Sequence, residues 1–136
     1  KITIHGPNGE LDNLKIIHDL ETKHDIRINV TAMMSVQQCF LAAMAGATYV
    51  SIFGGRVNNM GYDSREEIRK LRDLLDDFAL DSKIIVGSTR EVINIIDFKC
   101  PSSNMEKKNL WDNDVIFHVP TFTSPLDSII CIYRDK

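Results

Sequence analysis

The sequence predicts an α/β fold in which parallel strands are wrapped by helices. Three observations predict it. Strand-like runs alternate with apolar residues at helical spacing in the order β, α, β, α, β, α, β, α. Two of the helices open on capping residues. Polar residues also alternate with apolar ones along strands that a covered parallel sheet ordinarily keeps apolar on both faces.

The elements follow in order. Lys1-Ile2-Thr3-Ile4 is the first strand, and His5-Gly6-Pro7-Asn8-Gly9 is the turn after it. A natural domain rarely starts inside a core strand, so further sequence is expected upstream of Lys1. Leu11, Leu14, Ile17 and Leu20 then recur at helical spacing and predict an amphipathic helix. Ile26 to Met33 predicts the second strand. Ser35 caps the next helix, with Gln38 placed to reach back in a capping box, and that helix ends near Gly46.

Thr48 to Phe53 is the third strand, running into a loop from Gly54 to Tyr62. Ser64-Arg65-Glu66-Glu67 makes a second capping box, opening a helix that buries Ile68, Leu71, Leu74, Leu75 and Phe78. The fourth strand, Lys83 to Ser88, leads through Thr89 and Arg90 into the apolar stretch Val92 to Ile96. Periodicity fails over 98–114, which reads as a divergent polar loop. Val115 to Pro120 predicts a fifth strand, and a last apolar stretch begins at Ser124-Pro125-Leu126.

With 136 residues, 43% of them hydrophobic and 26% charged, the chain is expected to form a single domain around one core. The net charge of −3 arises from interspersed signs, which argues against nucleic acid or an anionic membrane as a partner. Cys39, Cys100 and Cys131 are widely spaced and odd in number, which fits a reducing, cytoplasmic compartment better than disulfides or zinc. His5, His18, His24 and His118 lack metal-ligand spacing, and no metal or cofactor is expected. Length alone favours an open sheet, because an eight-unit barrel takes about 200 residues or more.

The strand alternation bears on function. Asn29 and Thr31 share one face opposite Ile28, Val30 and Ala32; Tyr49, Ser51 and Phe53 share one opposite Val50 and Ile52; Lys1 and Thr3 share one opposite Ile2 and Ile4. An unpaired buried polar group costs about 1–3 kcal/mol, so a polar face repeated from strand to strand points to a wet, ligand-lined interior. Arg56 follows the third strand and Arg90 the fourth, at the ends where α/β proteins bind ligands. With Ser88 and main-chain amides they would form a phosphate clamp.

These residues also carry a family likeness. Asn29-Val30-Thr31, then Ser35 with Gln38, then Ala43 to Ser51 and Gly55-Arg56, resemble the central stretch of transaldolases and fructose 6-phosphate aldolases; Ile84 to Arg90 resembles their phosphate-binding strand. The likeness runs from about Lys1 to Asp97. It implies a partial (β/α)8 TIM barrel, with about the last five strands and their helices. It also implies transfer of a dihydroxyacetone unit between sugar phosphates, from fructose 6-phosphate to erythrose 4-phosphate in the pentose phosphate pathway, and an enzyme able to form homo-oligomers.

Position by position, Lys1 matches the Schiff-base lysine, with Thr3 where the family has proline. Thr31 matches the threonine that positions the catalytic water, while Asn29 and Ser51 match substrate-binding residues. Arg56, Ser88 and Arg90 match the phosphate site, and Phe53 stands where transaldolases carry phenylalanine and the aldolases tyrosine. The family's acid/base aspartate belongs to strands without counterpart in this sequence, and the segment after Phe98 departs from the pattern. A lysine amine attacks a ketose carbonyl only when unprotonated, and the resulting protonated Schiff base then accepts the electrons of carbon–carbon cleavage. Competing readings are a fructose 6-phosphate aldolase, an inactive phosphosugar-binding fragment, and a nucleotide-binding open sheet using Gly54-Gly55.

Overall fold

Strands whose apolar residues recur at every second position bury one face against helices and leave the other for a different purpose, and this sheet is built that way. The structure is a computed structural model that describes residues 1–88 and the backbone of 115–120 and 128–132. In chain order the elements are β1 (Ile2–Thr3), α1 (Asn13–His24), β2 (Asn29–Met33), α2 (Val36–Met44), β3 (Tyr49–Phe53), α3 (Gly54–Asn59), α4 (Ser64–Asp77), β4 (Lys83–Gly87), β5 (Val115–Pro120) and β6 (Ser128–Ile132). They form one sheet of six strands in the order β1-β2-β3-β4-β5-β6. β1 to β5 pair in parallel, each with the next. A doubly wound open sheet reverses its strand order at a switch point, and these parallel strands do not.

The expected alternation of strands and helices ends at β5, because β6 pairs with it antiparallel. The physical reason is the length of the connection. Residues 121–127 are too few for the dozen or so that a parallel crossover needs. The polar loop expected over 98–114 lies outside the described residues.

The core lies between the sheet and its helices. Ile4, Val30, Val50, Ile52, Ile84 and Val86 are fully buried on the helical side, against Ile17 of α1, Cys39 and Ala42 of α2, and Leu71 and Leu75 of α4. Leu14 and Leu20 pack at its margin, whereas Leu11 precedes α1 and is exposed. Phe78, expected in the core, is the C-cap of α4 and is exposed, with its ring edge-on to Phe40 at 5.0 Å. Burial in this core pushes the Cys39 thiol up to about 12. Among the described residues no helix is long and apolar enough to cross a membrane.

Helix entry differs in detail from the sequence expectation. Ser35 caps α2 by accepting from the Gln38 N–H, but the Gln38 side chain accepts from Met34 N–H at 2.7 Å rather than from Ser35. Asp63, not Ser64, caps α4: its carboxylate accepts from Arg65 N–H at 2.9 Å. Ser64 is the first helical residue and is buried, with no hydrogen-bond partner for its hydroxyl. Starting the helix there turns Ile68, Leu71 and Leu75 inward together.

Glu21 of α1 ties the entries of two strands together. Its Oε1 accepts from Ile28 N–H at 2.6 Å and Thr48 N–H at 2.7 Å, and its Oε2 accepts from the Thr48 hydroxyl at 3.0 Å. One carboxylate thus sets the starting heights of β2 and β3.

Candidate active site

The face of the sheet away from the core helices carries the polar strand positions. Register places Thr3 beside Thr31, Asn29 beside Tyr49 and Tyr49 beside Lys83. Continued back one residue, it sets Lys1 level with Asn29. Lys1 itself precedes β1 and is exposed, whereas the sequence reading placed it inside the strand.

Asn29 and Ser51 meet. Ser51 is 4% exposed, and its hydroxyl donates to Asn29 Oδ1 at 2.7 Å. That bond uses the carbonyl end of the amide, so the NH2 end remains to donate to an oxygen of a ligand. Thr31 lies next along β2, half-buried. Beyond it the strand bulges: between Val30↔Val50 and Met33↔Ile52, the residues Thr31 and Ala32 oppose Ser51 alone. Ala32 takes a left-handed φ of 62°. Met33 therefore joins Val30 on the buried face, the place that strict alternation assigned to Ala32.

Thr3 is occupied locally. Its hydroxyl donates to the His5 carbonyl at 2.7 Å, and the Asn13 amide donates to the Thr3 carbonyl at 2.9 Å, fastening the turn after β1 to α1.

Phe53, Arg56, Gly55, Gly87 and Ser88 gather at the C-terminal ends of β3 and β4. Phe53 pairs in register with Gly87, and a Cβ on Gly87 would stand 3.4 Å from the Phe53 ring. The Arg56 guanidinium lies over that ring, 5.1 Å from its centroid. Where a loop was expected, α3 starts directly after β3 and brings Arg56 back over Phe53. The reason is the packing of Gly55, whose missing side chain leaves room for the Ser88 carbonyl; an added Cβ would collide with that oxygen. Ser88 in turn has a left-handed φ of 59°. Arg90 lies outside the described residues.

Sequence reasoning missed Lys83, half-buried on the same face at the start of β4. Period two from Gly87 through Ile85 would have found it. A groove of about 400 Å³ lies elsewhere, between α2 and α4 on the helical side, and is lined by Glu67, Lys70, Asp73 and Asp77. Among the described residues, no three His, Cys, Asp or Glu side chains cluster as a metal site would need.

The arrangement is a polar strand face with an arginine at its C-terminal rim, and comparison with known proteins gives it a family. The model of the Transaldolase/Fructose-6-phosphate aldolase family matches residues 9–103. The chain belongs to that family. It is similar to a "Probable transaldolase" of Desulfosudis oleivorans, 39% identical over 87 residues that make up 64% of this chain and 40% of that protein. A "Probable transaldolase" of Maricaulis maris is 45% identical over 74 residues, 54% of this chain and 34% of its own length. A "Probable transaldolase 2" of Listeria monocytogenes is 41% identical over 81 residues, 60% and 37%. The chain thus spans two-fifths or less of the curated relatives it matches. Asn29, Thr31, Ser51, Phe53, Arg56 and Ser88 all lie within the matched residues, and Lys1 precedes them.

Proposed function

We propose that this chain supplies part of a (β/α)8 barrel that transfers a dihydroxyacetone unit between sugar phosphates through a Schiff base on Lys1. The observation that supports the reading is the Asn29–Ser51 hydrogen bond on the sheet face away from the core, with Asn29 level with Lys1 by register. Lys1 Nζ attacks the ketose carbonyl of fructose 6-phosphate, and the carbonyl oxygen leaves as water. Thr31 positions that water, and the Asn29 amide donates to a substrate hydroxyl. Cleavage of the C3–C4 bond releases glyceraldehyde 3-phosphate and leaves an enamine on Lys1; the enamine carbon adds to the aldehyde of erythrose 4-phosphate, and water hydrolyses the new Schiff base to free the lysine and a seven-carbon ketose phosphate. Arg56, Arg90 and Ser88 bind the phosphate, and Phe53 favours the transferase over the aldolase outcome.

Proton transfers need a positioned acid/base, and the described strand positions on this face hold no carboxylate: Thr3, Asn29, Thr31, Tyr49, Ser51, Phe53, Lys83 and Ile85. Borohydride reduction in the presence of fructose 6-phosphate, followed by peptide mapping, tests the first step. The expected adduct is on Lys1 Nζ. An adduct on any other lysine, such as Lys83 on the described part of this face, overturns the assignment.

A second reading, a phosphosugar-binding chain without turnover, is favoured by the exposure of Lys1 and by the lack of a carboxylate among the described strand positions of its face. Fructose 6-phosphate binding with no trapped adduct would establish it.

A further inference from the structure

The Arg56 guanidinium at the rim of the site is held by a ring, whereas those of Arg65 and Arg72 are held by carboxylates. Arg65 pairs with Asp63 at 3.0 Å and Arg72 with Asp76 at 2.8 Å, so those guanidinium groups spend in-plane N–H donors on a carboxylate of the chain. Arg56 is exposed, and no carboxylate among the described residues pairs with it; its contact is the face of Phe53, 5.1 Å from Cζ to the ring centroid. The two modes differ chemically. Stacking on an aromatic face orients a guanidinium but leaves its charge uncompensated and its in-plane donors unused.

The ring is itself held in place. Phe53 leaves β3 beside Gly87 of β4, and the absence of a side chain there lets the ring lie close to the neighbouring strand. Arg56 comes three residues later, in the first turn of α3, and the packing of Gly55 on the Ser88 carbonyl sets where that turn stands.

We propose that Phe53 is a positioning residue: its ring seats the Arg56 guanidinium at the C-terminal end of β3 and leaves the in-plane N–H donors to a phosphate monoester. The inference rests on the reading of Arg56 as a phosphate ligand under "Proposed function". It gives Phe53 a role separate from contact with the sugar.

Calorimetric titration of the chain with inorganic phosphate, fructose 6-phosphate and unphosphorylated fructose tests it. Arg56→Ala is expected to abolish phosphate binding. Phe53→Leu keeps an apolar side chain but removes the π face, and is expected to weaken inorganic phosphate and fructose 6-phosphate about two- to fivefold, the range of an exposed cation–π contact. Fructose binding stays unchanged, and Phe53→Tyr, which keeps the ring, restores phosphate affinity. The Arg56 Nε–H resonance provides a second readout, with a ring-current shift present in the wild-type chain and in Phe53→Tyr but absent in Phe53→Leu.

If wild-type chain binds no phosphate, or Arg56→Ala binds it as well as wild type, the functional reading fails and the inference with it. If Arg56→Ala loses binding while Phe53→Leu retains it in full, the inference alone is overturned. Should Phe53→Leu fail to fold, a folded Phe53→Tyr that loses phosphate affinity, or an unshifted Arg56 resonance in wild type, overturns it as well.

Discussion

The Ser51 hydroxyl donates to Asn29 Oδ1 at 2.7 Å, joining two neighbouring strands across the polar face of the sheet. Removing either side leaves the other partly buried and unsatisfied. Ser51→Ala and Asn29→Ala should each cost about 1 kcal/mol in urea unfolding, and the double variant should cost less than their sum. Additive losses would show that the pair is not coupled.

Glu21 accepts three hydrogen bonds at the entries of β2 and β3. Glu21→Ala should lower stability by about 2–3 kcal/mol, since two backbone amides and a hydroxyl lose a charged acceptor. Glu21→Gln keeps an acceptor for the amides and should cost less. Hydrogen exchange at Ile28 and Thr48 reports the change directly, with faster exchange expected in the alanine variant.

Gly55 lies against the Ser88 carbonyl with no room for a Cβ. Gly55→Ala should destabilise the fold by about 1–3 kcal/mol and shift α3, which carries Arg56. Thermal unfolding measures the first effect. Loss of the Arg56 ring-current shift measures the second.

Asp63 caps α4, and its carboxyl is held below the ordinary value of 3.8, first by the Arg65 side chain and also by the N–H groups of Arg65 and Glu66. A carboxyl depressed in the folded state adds stability that is complete above its unfolded pKa and is lost as pH falls through the folded one. Stability should therefore decline below about pH 4, with less of a slope in Asp63→Asn, which can still cap. Asp63→Ala should cost about 1 kcal/mol at neutral pH. The ion-pair share is smaller and should fade with salt, because both side chains are exposed.

Much of this was legible in the chain. Period-two alternation placed Asn29, Thr31, Ser51 and Phe53 on one face, and helical spacing found α1, α2 and α4, because both patterns depend only on near neighbours. The errors came where a distant contact decides. Gly54 to Tyr62 reads as a loop until the Ser88 carbonyl is seen to occupy the space beside Gly55. Asp63 and Ser64 are both good caps, and the choice between them follows from turning Ile68, Leu71 and Leu75 towards the sheet together.

By itself the sequence determined the order β1, α1, β2, α2, β3, α4, β4 and β5, the polar face and the family likeness. Tertiary structure alone decided that Asn29 and Ser51 are partners, that the bulge at Ala32 turns Met33 into the core, that β6 runs antiparallel, and that the Arg56 guanidinium rests on the Phe53 ring. Alternation along a strand is a local property of the backbone. Register, bulges and the stacking of a cation on a ring depend on where the next strand or helix comes to lie, and residues far apart in the chain set that position.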